Sequence, residues 1–497
     1  MQVQTSLGSI RGKVAPSGIR EFLGVRFATA ARWKRPVAVQ PWSNLYDATN
    51  FSASPPQMNM PVPISLLVDT HEGDVQSEDC LCLNVWTPPN AEGRNLPVMV
   101  WIYGGALTNG QTNMLAYDGQ PMVKASIELN KPVIVVSIAY RVNVFGFLAS
   151  KELQEWNGDG TTGNMGFFDQ RLGLLWVKEH IARFGGNPQN ITVFGESAGS
   201  ASIDILSIMF AKEKLFTRCI MQSGVALTMP PAPVATAQRV FDLLYEHSKG
   251  PADLKGKAKV EYLLSRSTEE VKEAWSKMAL KVAISPVIDG VAITSDWAHV
   301  VRPLKDMMVG TTRDEGTLFT MIGSPKTMQE LGARIGARFQ NPQHRDALLK
   351  VYDEKKYGTV QKAFTEYFGD TIFQYPVRQY ARSKSTSANV YVYRFDHALA
   401  TSKPYRIGAH HASEIPFVFS NAAFLNEKEV ILAKEMTKQW ITFAYNGAPE
   451  WPKYKVNGKI AVFGSGGMTL ENDDFRKEAL DVCDKVFTEA HGIGSRL

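Results

Sequence analysis

Residues 191–206 read ITVFGESAGSASIDIL: an apolar β-type stretch, a turn of small residues, then a helical pattern. A serine between Gly195 and Gly199 admits two readings. Small residues let a strand and a helix pack closely, and G-x-S-x-G also holds a nucleophilic serine on a sharp strand-to-helix elbow. The pentapeptide alone does not choose. Its surroundings favour the elbow: a helical face of Leu174, Val177, Ile181 and Phe184 ends at Gly185-Gly186, a short strand follows, Ser197 takes the turn, and an apolar helix is expected from about Ala201. The strained turn demands small neighbours, and Gly195, Ala198 and Gly199 supply them.

The chain has 497 residues, 44% hydrophobic and 21% charged, an ordinary globular composition. A net charge of +5 without long basic runs gives nucleic-acid binding little support. No run of about 18 apolar residues predicts a membrane span. The start, MQVQTSLGSIRGK, lacks the apolar region of a secretory signal. Cys80, Cys82, Cys219 and Cys483 show no four-ligand spacing, so reduced thiols in an intracellular protein are expected, with no metal. Ser495-Arg496-Leu497 is similar to the peroxisomal Ser-Lys-Leu address, which leaves cytoplasm and peroxisome both open.

Buried strands are expected at Pro97–Tyr103, Pro132–Tyr140, Ile191–Phe194, Arg218–Gln222, Met307–Thr311, Val390–Phe395 and Ile460–Phe463. Their continuous Val and Ile content suits a sheet covered on both faces. Helices are expected from a capping box at Ser267 and Glu270, and over Lys428–Tyr445 up to Asn446-Gly447. The pattern predicts strand and helix alternating from beginning to end, without repeats or linkers, so residues 1–497 read as one α/β domain with loop insertions.

A serine hydroxyl needs a base, and a tetrahedral intermediate needs aligned amides. The glycine-rich exit from a strand at Trp101–Leu107 (WIYGGAL) offers amides at Gly105 and Ala106, with Ala198 as a third. At this point FGGNPQNITVFGESAG (184–199) resembles the nucleophile signature of the type-B carboxylesterases, the group of cholinesterases, liver-type carboxylesterases and certain fungal lipases. EDCLCLNVW (78–86), FLGVRFA (22–28), YRVNVFGFL (140–148) and GNMGFFDQRLGLLWVKEHIARFGG (163–186) are similar to further blocks of that family.

The resemblance implies an α/β-hydrolase fold, a large and mostly parallel central sheet with helices on both faces. It also implies a serine carboxylic-ester hydrolase without a cofactor, acting through an acyl-enzyme on a small-molecule ester. The family's acid, in an Asp-Glu-Gly turn, falls on Glu315. Its histidine, in GAHHASEIPFVF (408–419), falls on His411; spacing by itself does not separate His411 from His410. The order Ser197, Glu315, His411 is that of α/β-hydrolases. Glu196, Ser223 and Glu414 are implied around the histidine.

Three departures from the family pattern stand out. Met58 replaces the cysteine that secreted members pair with the one matching Cys80. The loop from Met58 to Cys80 lacks the aromatic residue of a choline platform. Ala106 replaces a third glycine beside the acyl position, and Leu107 is expected to line the same acyl pocket. Acyl transfer or lactone formation by the same triad, and a non-catalytic family member, are the alternatives. Oligomeric state is not legible.

Overall fold

The computed structural model describes residues 1–58, 75–321, 323–456 and 458–491. Most of the Met58–Cys80 loop and the Ser495-Arg496-Leu497 tripeptide lie outside the described residues. The backbone packs as two compact units, Met1–Thr217 with Met229–Pro303, and Arg218–Thr228 with Leu304–Leu497.

In the first unit, strands β1 (Arg20–Arg26), β2 (Cys82–Thr87), β3 (Leu96–Ile102), β4 (Ile134–Ile138) and β5 (Gly186–Glu196) lie in the order β5-β3-β4-β2-β1. The pairs β5–β3 and β3–β4 are parallel, while β4–β2 and β2–β1 are antiparallel. Every residue of β3 and β4 is buried, as expected of Val- and Ile-rich strands covered on both faces. Register pairs Gly195 with Ile102, so β3 and β5 end side by side. The WIYGGAL loop and Ser197 leave the sheet at that shared edge, the carboxyl end where α/β sheets place their ligands.

Helix α1 (Met165–His180) carries Leu174 and Val177 into the core. It tightens into a 3₁₀ turn, Ile181–Phe184, before Gly185 turns left-handed at φ 93°. Helix α2 spans Ala198–Met209, and α3 (Thr268–Ser276) opens on the expected Ser267/Glu270 capping box. Strand and helix do not alternate from the start. Among the described residues, the chain from Gln2 to Ile102 forms strands without an α-helix, because antiparallel neighbours need no crossover helix.

The second unit holds β6 (Arg218–Gln222), β7 (Asp306–Thr312), β8 (Asn389–Phe395) and β9 (Lys459–Gly464), parallel in that order, with antiparallel β10 (Gly467–Asn472) outside β9. Helices α4 (Met328–Arg338), α5 (Pro342–Val351), α6 (Val360–Gly369) and α8 (Lys477–His491) share an apolar cluster that includes Leu331, Leu348, Phe364 and Leu480. The long α7 (Glu427–Asn446) stops at left-handed Gly447, as its Asn-Gly ending predicts.

Cys80, Cys82, Cys219 and Cys483 are free, buried thiols. Burial pushes the Cys82 thiol up to about 11 and Cys80 beyond it, so neither is a reactive thiolate. No helix among the described residues is long and apolar enough to cross a membrane.

Arg141 ties the first unit together. Its side chain is 3% exposed and donates through Nε and Nη2 to the two oxygens of Asp169 on α1, at 2.8 and 2.7 Å. Nη2 also donates to the carbonyl of Lys34 at 2.9 Å. Removing one partner strands a buried charge, which costs about 3–5 kcal/mol. Asp169→Ala should therefore lower the chemical-denaturation midpoint sharply, and an unchanged midpoint would contradict this role for the pair.

Candidate active site

Ser197 is the single residue between β5 and α2. It sits at φ 57°, ψ −124°, a conformation costly for a residue with a Cβ. The strand thus runs two residues further than Phe194, and the helix begins at Ala198 rather than near Ala201. Ser197 is half-buried, while Glu196 and Ala198 are buried.

Close backbone approach explains the small residues. A Cβ at Gly199 would overlap the carbonyl of Ile102 at the end of β3. A Cβ at Gly104 would stand 2.6 Å from the Glu196 carbonyl oxygen and 2.9 Å from the Ser197 Cβ. The glycine-rich loop therefore lies directly against the elbow. Thr108 and Asn109 amides donate to the Gly105 carbonyl at 2.9 and 3.0 Å and close the loop, with Gly105 and Ala106 exposed. Ala106 and Leu107 are both left-handed, at φ 56° and 58°. Leu107, the expected acyl-pocket residue, is 1% exposed, and its carbonyl accepts the Asn143 amide.

In the second unit, Glu315 is 1% exposed and accepts three hydrogen bonds. His411 Nδ1 donates to Oε2 at 2.6 Å, Ser223 Oγ donates to Oε1 at 2.6 Å, and the Thr312 amide donates to Oε1 at 2.8 Å. Ser223 reaches it from a left-handed position, φ 54°, just past β6. Glu414, wholly buried, accepts from Gln222 Nε2 at 3.1 Å, and Gln222 in turn accepts from Trp440 Nε1 of α7 at 3.0 Å.

The structure separates the two neighbouring histidines. His410 Nδ1 faces the carbonyl of His411 at 2.8 Å and its Nε2 faces Ser402 Oγ at 2.8 Å. A carbonyl only accepts, so Nδ1 carries the proton and Nε2 accepts from Ser402. His411 alone of the two meets a carboxylate through Nδ1.

Sequence reading missed several groups around this pair. Phe373 and Phe319 place rings 4.5 and 5.0 Å from the His411 ring, and Phe319 is 40% exposed. Asp314 anchors the histidine segment: its Oδ2 accepts the Ala409 amide at 2.9 Å and its own amide donates to the Ala409 carbonyl at 2.9 Å. The Asp-Glu-Gly turn was the available signal for Asp314. No spacing in the sequence flags Phe373.

A family model described as the carboxylesterase family matches residues 1–463. The chain belongs to the carboxylesterase family. It is 32% identical to the para-nitrobenzyl esterase of Bacillus subtilis (strain 168), over 95% of this chain and 96% of that protein. It is equally 32% identical to the cocaine esterase of Homo sapiens (91% of this chain, 84% of the relative) and to the acetylcholinesterase of Bungarus fasciatus (92% and 81%). The chain is thus a serine ester hydrolase with the α/β-hydrolase fold. Equal identity to relatives named for three different substrates singles out none of them.

Two outcomes test this carboxylesterase geometry. Gly104→Ala should push the loop off the elbow and lower ester turnover roughly a hundredfold with the far-UV circular dichroism unchanged; wild-type turnover would mean that the close approach is dispensable. Burial holds the His410 pKa down to about 4, against an ordinary 6.5. Below 6.5 the unfolded chain gains a proton that the folded chain refuses, so stability falls with pH until about 4, by about 3 kcal/mol from this group. His410→Gln should flatten the stability profile across that window, and identical slopes in wild type and variant would refute it.

Proposed function

We propose that Ser197 is the nucleophile, His411 its general base and Glu315 the carboxylate that orients the imidazole, and that the substrate is a small-molecule ester. In this reading His411 Nε2 takes the Ser197 proton as Oγ attacks the ester carbonyl. The amides of Gly105, Ala106 and Ala198 stabilise the oxyanion, each worth about 10²–10³ in rate. The protonated imidazole then gives its proton to the departing alcohol. Water, deprotonated by His411, attacks the acyl-enzyme and releases the acid and free Ser197.

The observation that carries this reading is the His411–Glu315 pair. A carboxylate 1% exposed, 2.6 Å from Nδ1, fixes the tautomer and favours the imidazolium formed in each step. The strained Ser197 and its left-handed neighbouring loop support it independently, because such conformations cluster where function requires them. Ser223 and the Thr312 amide hold Glu315 in place, and supporting roles for Glu196 and Glu414 are part of the same proposal.

p-Nitrophenyl esters of increasing acyl length test the assignment. Wild type should release p-nitrophenol and Ser197→Ala should lose the activity, with a serine-reactive phosphonate labelling Ser197 in wild type only. A wild type that neither turns over nor takes the label, or a Ser197→Ala variant with undiminished turnover, would overturn the assignment. Competing alcohols separate the acceptors: acid as the sole product fits hydrolysis.

A further inference from the structure

Helix α6 does not simply end at Gly369. It runs into a π-helical turn, Asp370–Gln374, whose residues face the catalytic pair on one side and the C-terminal segment on the other. On the first side, Phe373 lays its ring 4.5 Å from that of His411. Gln374 accepts from Thr311 Oγ1 at 2.8 Å and donates to the Thr312 carbonyl at 2.7 Å, while the Thr312 amide holds Glu315. The turn of Glu315 also seats on α6 itself, since a Cβ at Gly316 would overlap the Thr365 carbonyl.

On the other side stands Arg476, at the entry to α8 and beyond the residues 1–463 that match the family. Its Nε donates to both oxygens of Asp370 at 2.6 and 2.7 Å, Nη1 to Glu366 at 2.5 Å and Nη2 to the Tyr357 hydroxyl at 3.0 Å. The Tyr352 hydroxyl adds a third hydrogen bond to Asp370, at 2.8 Å. Asp370 is 1% exposed, and burial raises its carboxyl against the pull of Arg476. An uncompensated carboxylate there would disturb the turn it begins.

We propose that Arg476 is a positioning residue for the His411–Glu315 pair, acting through Asp370 and the π-helical turn that presents Phe373 and Gln374. The inference rests on the catalytic roles given above. It makes the C-terminal helix a part of the active-site wall rather than an appendage. π-Helical turns are costly insertions that recur at functional sites, and this one has its first residue pinned by the Arg476 Nε and its fourth against the base.

The test reads rates on a p-nitrophenyl ester per phosphonate-titrated site, for wild type, R476M/D370N, F373L and the triple variant. R476M/D370N removes both charges of the pair together. The expected result is kcat lower roughly tenfold or more in R476M/D370N and in F373L, with KM unchanged, and a triple variant no slower than the slower parent. Losses that multiply in the triple variant, or wild-type kcat in either parent, overturn the proposal. Should R476M/D370N fail to fold, R476K, which keeps a positive charge but lacks the guanidinium that spans Asp370, Glu366 and Tyr357, takes its place in the same cycle. A wild type unlabelled at Ser197 overturns the triad assignment itself; a labelled wild type with variants of unchanged kcat overturns only this inference.

Discussion

A carboxylate almost wholly withdrawn from water must be met by donors, and the second unit is arranged around that demand at Glu315. Three donors reach it: a ring nitrogen, a hydroxyl and a backbone amide. Each fixes something else. The hydroxyl requires Ser223 to adopt a left-handed backbone directly after β6, and the amide requires the Asp-Glu-Gly turn to fold back on the end of β7. The ring nitrogen requires the segment carrying His411 to be held, which Asp314 does through the amide and carbonyl of Ala409. Leaving any one unmade would cost about 1–3 kcal/mol or more for a charged group. The geometry of the pair is thus a consequence of desolvation.

The first unit solves a different problem, the approach of backbone to backbone. Here the constraint is steric: Ile102 ends β3 against Gly199 in the first turn of α2, and Glu196 ends β5 where Gly104 enters its loop. No side chain fits between them. The parallel register that sets Gly195 beside Ile102 brings both chain exits to one edge, so the elbow and the loop are neighbours by topology before any side chain acts.

These two constraints explain what was legible in the sequence. The parallel strands were readable because strands buried on both faces are written as unbroken Val and Ile runs; β3, β4 and β7 begin or end within two residues of expectation. The elbow was readable because steric closeness is written as glycine and alanine. β2 was harder, since Asn84 interrupts its apolar run. That polar residue is 1% exposed, accepting the Gly24 amide and donating to Ser137, partners a linear reading does not supply. The ties to Glu315 from Thr312 and the wall formed by Phe373 were illegible for the same reason: their meaning lies in contacts between distant segments. The choice between His410 and His411 came from resemblance and not from spacing.

The adjacent histidines show how completely environment overrides residue type. Both imidazoles are buried, and both make a hydrogen bond through Nδ1. The partner decides the rest. A backbone carbonyl opposite Nδ1 carries no charge to stabilise an imidazolium, so desolvation dominates and His410 stays neutral well below the ordinary histidine range. At His411 the partner opposite Nδ1 is instead the Glu315 carboxylate, a charge that offsets desolvation. One residue along the chain, the same side chain is therefore a fixed neutral strut in one place and, in the proposed mechanism, a base in the other. Both sit in one turn, closed by the Ser413 amide on the His410 carbonyl at 3.0 Å, with Ala412 left-handed at φ 68°. Exchanging the two roles would need a second buried carboxylate, and with it a second full set of donors.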